Sequence, residues 1–348
     1  MEGHRSAQIR RAHADDNAQI GKWTVFDRKA REEQEAESLA SGATLACDAG
    51  NREVAEEPDP FRTCFERDRD RILHSSAFRR LAGKTQVFIF PDDHQRTRLT
   101  HALEVAQVAN GVARGLRLNT TLTEAIAIGH DCGHGAGGHA SEDALSPYLP
   151  DGFDHAVWGA DVVLAPLNLC RETLDGIRNH SWRRPSPMTP EGVVVSWADR
   201  IAYVCHDLED AVSAGIVTYD MVPEIVLERC GRTRSSQLRA FIQGMHEAAE
   251  LTGEIGMIEP IAEALAALRA FNYENIYLRP ASREQNELVV RVLRGLVEFY
   301  ADRPNLIPDV RDVAAGTEEA LQIAVAYVGG MTDRYAFQMA VAHLGWSP

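Results

Sequence analysis

The chain is short of aromatic residues, has no clustered cysteines, no long apolar run and no surplus of basic charge. Aromatic residues make up 7% of its 348 positions, against 45% hydrophobic residues overall. Leu, Val, Ile and Ala must therefore fill most of any core. The six cysteines, Cys47, Cys64, Cys132, Cys170, Cys205 and Cys230, show no CxxC spacing. That removes a disulfide scaffold and a thiolate zinc site, and makes reduced cytoplasmic thiols the expectation. No stretch of about 18 apolar residues occurs, so no membrane partner is expected. The start, MEGHRSAQIRRAHADD, is charged from its second residue and carries no signal-peptide pattern. A net charge of −15 argues against a surface built to coat nucleic acid. Nucleic acid is not a predicted partner, although a local basic groove is compatible with this charge.

What is present is helical periodicity. Residues 1–57 are acidic and poor in large apolar side chains, and predict an N-terminal arm, partly mobile, of the kind a neighbouring subunit orders. Residues 58–215 read as a core, and 216–348 as a helical C-terminal part packed on it. Ile72, Leu73, Ala77, Phe78 and Leu81 recur at helical spacing. The arginines around them should be neutralised by Glu66, Asp68 and Asp70. Residues 85–90 are β-like and end in the turn Pro91-Asp92-Asp93, which leaves room for one short ribbon. A helix follows over 96–116. Thr121 and Glu124 suggest a capping box for a short apolar helix running to His130. Thr189-Pro190-Glu191 opens a helix that ends near Gly215. Ser282 and Gln285 suggest a second capping box, and Gly329-Gly330 should break the last helical stretch. The fold class is mainly α.

The chemistry concentrates in residues 126–139. His130 and Asp131 offer adjacent donors at the end of an apolar helix, where a buried carboxylate needs a strong partner. His134 stands at i+4 from His130, so a helix continued that far would put both rings on one face. Gly133, Gly135, Gly137 and Gly138 allow a sharp turn that carries His139 back. A helix C-terminus with histidines at its negative end is the plainer reading, but other segments argue against it. His101 lies on the Val105, Val108 and Val112 side of its helix. Asp199 heads a polar stripe with Tyr203, His206 or Asp207, and Asp210 on an otherwise apolar helix. Two imidazoles and two carboxylates from three helices can close round one divalent ion and leave positions open. This N/O set without thiolate suits Mn²⁺, Mg²⁺, Fe²⁺ or Ni²⁺, with Zn²⁺ also compatible. Such an ion activates water and polarises a phosphoryl oxygen. Arg98, one turn before His101, could hold phosphate oxygens. His155 opens a later helix and reads equally as cap or site residue.

His101, His130-Asp131 and Asp199 resemble the H…HD…D signature of the HD-domain phosphohydrolases. Six segments in register resemble, more narrowly, the deoxyguanosinetriphosphate triphosphohydrolase (dGTPase/dNTPase) branch. They are FERDRDRILHSSAFRRLAGKTQVF, RTRLTHALEVAQVA, LTEAIAIGHDCGHGAGGHASE, LNLCRETLDGIRNH, WADRIAYVCHDLEDAV and GMTDRYA. The resemblance implies an HD-domain helical fold with at most a short β-ribbon. It implies a ring-like homo-oligomer, a hexamer or a tetramer, and a dNTP substrate, dGTP or a broader set. Water would attack the α-phosphorus and release deoxynucleoside and tripolyphosphate. The metal would be held by His101, His130, Asp131 and Asp199. His139 and Glu142 would form the catalytic pair, with His139 as acid toward the departing 5′ oxygen. His134 and His155 would line the α-phosphate, Arg98 and Arg200 would contact phosphate, and Tyr203, Asp207 and Gln86 would face the sugar. The chain departs from the family where a Pro-Pro-Phe-Gly-like run is replaced by Gly135-Ala136-Gly137-Gly138, and where the Asn and Gln after His155 are missing. The glycines imply a more mobile loop and a less preorganised His139. Two other readings keep the same residues: an HD phosphohydrolase for a monophosphate or signalling nucleotide, and a non-catalytic dNTP sensor.

Overall fold

The structure is a computed structural model, and it describes residues 3–6, 8–14, 20–87 and 95–346. The chain is mainly α-helical. Among the described residues the one β-ribbon pairs His4–Ser6 antiparallel with Ile9–Arg11. It lies in the N-terminal arm. Half of the β-like stretch 85–90, with its Pro91-Asp92-Asp93 turn, falls in 88–94, outside the described residues. An isolated bridge joins Thr85 to Thr97 just beside it.

The helix Arg28–Ser38 begins where the Asp27 side chain accepts from Ala30 N. The chain after it is tied to the core. Glu191, fully buried, accepts from Thr44 N and Asn119 N, each at 3.0 Å. Asp68 accepts from Arg52, from Cys170 N and from Thr173 Oγ1. These contacts change the expected pairing of the basic segment. Arg62 meets Asp59 and Asp70, but Arg67 and Arg71 both meet Glu56, while Glu66 and Asp68 are taken by Arg31 and Arg52.

Two capping predictions fail for local reasons. The helix Thr120–Gly129 is capped by Asn119, whose side chain accepts from Thr121 N and Leu122 N, so Thr121 is already inside the first turn. Glu124 faces Arg69 instead. The helix Pro280–Ala301 starts before Ser282, because Pro280 occupies its first turn and Ser282 Oγ donates to Ile276 O. The start of Pro190–Ser213 agrees with expectation: Thr189 accepts from Gly192 N, with Pro190 in the first turn. The last stretch breaks as predicted, into Glu318–Gly329 and Asp333–Leu344.

The apolar side chains form two clusters. The larger is built on Arg98–Gly115, Thr120–Gly129 and Pro190–Ser213, with Val105, Val108, Ile126, Ile201 and Val204 fully buried. The second joins Pro280–Ala301, Glu318–Gly329 and Asp333–Leu344 to Ala136, Ala140, Leu145 and Phe153. The chain thus passes from one cluster to the other just after His130-Asp131. Among the described residues no helix is long and apolar enough to cross a membrane.

Lys84 is buried where the clusters meet. Its Nζ donates to His134 O and, at 3.3 Å, to Gly329 O. Burial pushes its pKa down from 10.5 to about 7. Between those values the unfolded chain holds a proton that the folded chain has lost, so this group makes stability rise with pH from about 7 to about 10. Lys84→Met should flatten that rise. Melting temperatures across this range check it, and parallel curves for the two proteins would contradict it.

Candidate active site

Four predicted residues meet where three helices converge. His101 Nε2 lies 3.1 Å from Asp199 Oδ1, and His130 Nε2 lies 3.6 Å from the same oxygen and 3.4 Å from Asp131 Oδ1. His130 ends the helix Thr120–Gly129, and its Nδ1 sits 2.6 Å from Ala127 O. That contact places the ring proton on Nδ1 and leaves a lone pair on Nε2. Nε2 is buried and has no hydrogen-bond partner among the described residues. A buried lone pair facing two carboxylates is unfavourable unless positive charge stands between them. Two of the three separations, 3.1 and 3.4 Å, match adjacent donors around one ion, about 3.0–3.4 Å apart for bonds of about 2.1 Å, and the third, 3.6 Å, lies just beyond. Burial opposes charge on His130, but Asp131 and Asp199 outweigh it and push its pKa up to about 9. The pocket thus attracts a proton where a cation would sit. Burial alone would raise both carboxyls. Arg98, His130 and His134 hold Asp131 well below the usual range, and His101 and His130 do the same for Asp199. The residues present fit a divalent cation.

The helix does not continue to His134. It ends at Gly129, and a turn closed by His134 N donating to Asp131 O brings the ring round. His134 Nε2 then lies 3.2 Å from Asp131 Oδ1, and its ring stacks on His155 at 3.7 Å between centroids. Burial, reinforced by Arg98 and His155, holds His134 neutral. His155 Nδ1 is 2.5 Å from Glu142 Oε1, and His139 Nδ1 is 3.5 Å from Glu142 Oε2. Glu142 would be raised by burial, but its bonds to His139 and His155 keep it ionised. The His139 ring is 75% exposed, 5.1 Å from His134. The turn therefore does bring His139 back to the cluster, at its open edge.

Two glycines in that turn are required by space and conformation. Gly137 (φ +71°) would place a Cβ 2.6 Å from Val289 Cγ1, and Gly138 (φ +62°) one 2.7 Å from an Arg98 terminal nitrogen. The turn is also tied down. Ser141 Oγ accepts from Gly135 N at 3.0 Å and donates to Gly138 O at 2.6 Å, and Gly137 N donates to Asp333 at 2.8 Å.

The remaining predicted residues surround this centre. Arg98 donates to Asp131 Oδ2 at 2.7 Å and is buried. Arg200 has no carboxylate partner among the described residues, and its guanidinium lies 3.6 Å over the Trp182 ring. Tyr203 accepts at its hydroxyl from Arg269 Nε at 2.9 Å. Asp207 accepts from Tyr277 Oη at 2.5 Å, and burial pushes its pKa up to about 7. Gln86 follows Thr85, and its Oε1 is buried without a hydrogen-bond partner among the described residues.

One member of the cluster carried no assigned role in the sequence. His180 Nδ1 is 2.7 Å from Ile177 O, and its Nε2 is 3.2 Å from His155 Nε2. Burial, with His130 and His155 beside it, lowers its pKa to about 4. It completes two further sets of convergent donors, with His130 and Asp199 and with Asp131 and His155. The only sequence signal is its place at the end of LNLCRETLDGIRNH. Trp182 and Tyr277 had none, because their contacts depend on how distant helices dock.

Known proteins are similar to this chain over most of its length. Residues 98–204, from Arg98 past Asp199, match the HD domain, and residues 255–341 match the phosphohydrolase-associated domain. A deoxyguanosinetriphosphate triphosphohydrolase-like protein of Caldanaerobacter subterraneus subsp. tengcongensis is 39% identical over 316 residues, covering 89% of this chain and 93% of the relative. One from Clostridium perfringens is 40% identical over 310 residues, covering 84% and 90%. The chain belongs to the deoxyguanosinetriphosphate triphosphohydrolase-like family. It is an HD-domain phosphohydrolase with an HD-domain helical fold. A third family member, from Desulfatibacillum aliphaticivorans, is 37% identical and covers 89% of this chain and 95% of its own.

Proposed function

We propose that this protein is a metal-dependent dNTP triphosphohydrolase that releases deoxynucleoside and tripolyphosphate. The observation that carries the reading is the unpartnered His130 Nε2 between Asp131 and Asp199, with the His139–Glu142 pair next to it. His101, His130, Asp131 and Asp199 would hold a divalent ion, Mn²⁺, Mg²⁺, Fe²⁺ or Ni²⁺. When bound, such an ion supplies an acidified water and neutralises charge on the phosphoryl oxygens.

The chain's own groups do the rest. Arg98 can exchange the Asp131 carboxylate for phosphate oxygens. Arg200, held flat by Trp182 and without a carboxylate partner, offers a second guanidinium. His134 and His155 present imidazoles to the α-phosphate, with His155 oriented by Glu142. His139 protonates the departing 5′ oxygen, and Glu142 orients its ring. Tyr203 and Asp207, steadied by Arg269 and Tyr277, form the sugar wall with Gln86. A neutral or half-neutral Asp207 suits a 3′-hydroxyl, which both donates and accepts. The triphosphate is favoured over a monophosphate by the two guanidiniums, Arg98 on Asp131 and Arg200 over Trp182. Cytoplasmic residence fits six unpaired cysteines, and a homo-oligomer is the expected assembly.

The test is product analysis on a dNTP panel with Mn²⁺. Deoxynucleoside and tripolyphosphate should appear in equal amounts. Orthophosphate, pyrophosphate or turnover of monophosphates would redirect the site to another nucleotide. Tight dNTP binding by metal-loaded protein without turnover would make it a sensor.

A further inference from the structure

Asp333 stands in the C-terminal helical part, in the first turn of Asp333–Leu344, and is 5% exposed. Among the described residues it forms no ion pair. Its Oδ2 accepts from Thr85 N at 2.9 Å and from Thr85 Oγ1, and its Oδ1 accepts from Gly137 N at 2.8 Å. A buried carboxylate without a cation is costly. A neutral amide of the same shape would cost less but could not accept at both oxygens. What the carboxylate provides is acceptance at both ends, which fixes the donors on two separate segments at once.

Those segments are the two sides of the active site. Gly137 is two residues before His139, in the glycine turn that Ser141 ties internally at Gly135 and Gly138; the Asp333 bond ties that turn to the C-terminal part. Thr85 bridges to Thr97, and its neighbour Lys84 accepts at its carbonyl from Arg98 N at 3.1 Å. Thr85 therefore belongs to the start of the helix that carries Arg98 and His101. Lys84 Nζ adds a bond to His134 O, and a Cβ on Gly83 would come within 2.9 Å of Thr332. The junction Gly329–Asp333 thus meets the ligand side and the acid side together.

We propose that Asp333 is a positioning residue: it sets the distance between the His139 turn and the Arg98–His101 helix start, so that His139 meets the leaving oxygen. This rests on the reading of His139 as the acid. Misplacement by about an ångström costs on the order of 10²-fold in turnover. Asp333→Asn keeps one acceptor and turns the other into a donor facing a donor.

The experiment compares wild type, Asp333→Asn, His139→Ala and the double variant, with Mn²⁺ and whichever dNTP the wild type cleaves fastest. D333N should lower kcat roughly 10- to 100-fold, with little change in KM or in Mn²⁺ content. The double variant should be no slower than H139A alone, because the acid that Asp333 positions is already gone. Thr85→Val, which deletes one donor and spares the backbone, should show a smaller kcat loss that also vanishes in the H139A background. It keeps the proposal open to test if D333N does not fold. A loss that multiplies with that of H139A, or one carried by KM or by Mn²⁺ content, overturns the proposal and leaves the acid assignment standing. An unimpaired H139A overturns the acid assignment itself, and the proposal with it.

Discussion

Asp131→Ala should abolish phosphohydrolysis and strip the protein of its divalent ion. Asp131 joins four residues of the site: Arg98 on Oδ2 at 2.7 Å, and His130, His134 and His155 around Oδ1 at 3.2–3.9 Å. Loss of groups that merely orient metal ligands typically costs 10- to 100-fold, so loss of a ligand should exceed roughly 10²-fold. Removing it also leaves Arg98 as a buried, unpaired charge, at a cost of about 3–5 kcal/mol. Asp131→Asn is therefore the companion variant, since it retains the volume and a hydrogen-bond acceptor. Both should bind far less Mn²⁺ by elemental analysis. Neither should show the melting-temperature gain that Mn²⁺ gives wild type by mass action, about 2.7 kcal/mol at a hundredfold excess over Kd. A fully active Asp131→Ala protein with normal metal content would falsify the ligand assignment.

The second large effect is expected at His139. Its replacement by alanine should lower kcat by about 10²- to 10⁴-fold, the usual worth of a positioned acid, with metal content unchanged. The ring is mostly exposed and, among the described residues, pairs with Glu142 alone, so its loss should not disturb folding. The deficit should shrink with a phosphoester whose leaving group is already a weak base, such as 4-nitrophenolate, because that group departs without a proton. An equal deficit on both substrates would reassign His139 to binding and leave His134 or His155 as the proton donor.

The helices were legible because apolar residues recur at 3.6 spacing, and Thr189-Pro190 and Gly329-Gly330 mark ends by backbone chemistry that acts locally. The start at Asn119 was misread because Asn119, Thr120 and Thr121 stand side by side and spacing alone does not choose among them, and the start at Pro280 because a proline in the first turn opens that helix without a side-chain cap. His130-Asp131 was legible for the same reason as the glycines after it: donors and turn residues lie side by side in the chain. His180 was not, because one histidine at the end of an ordinary helix acquires meaning only when His155 is packed against it. Lys84 and Asp333 were less visible still. Each is one charged residue in a charged sequence, and its role depends on a contact across about 250 positions, such as Thr85 with Asp333.

The crossing of the chain from one apolar cluster to the other has a consequence for how such an enzyme changes over time. His101, His130 and Asp199 hang on the larger cluster, whereas Ala136 and Ala140, on either side of His139, belong to the smaller. On the proposed assignment, cation affinity and proton delivery therefore answer to different sets of buried residues. Substitutions among Val289, Leu293 and their neighbours can shift the His139 turn by fractions of an ångström while the imidazoles and carboxylates stay put. Descendants of this chain can explore new substrates and rates through the C-terminal core, at little risk to the residues proposed to hold the ion.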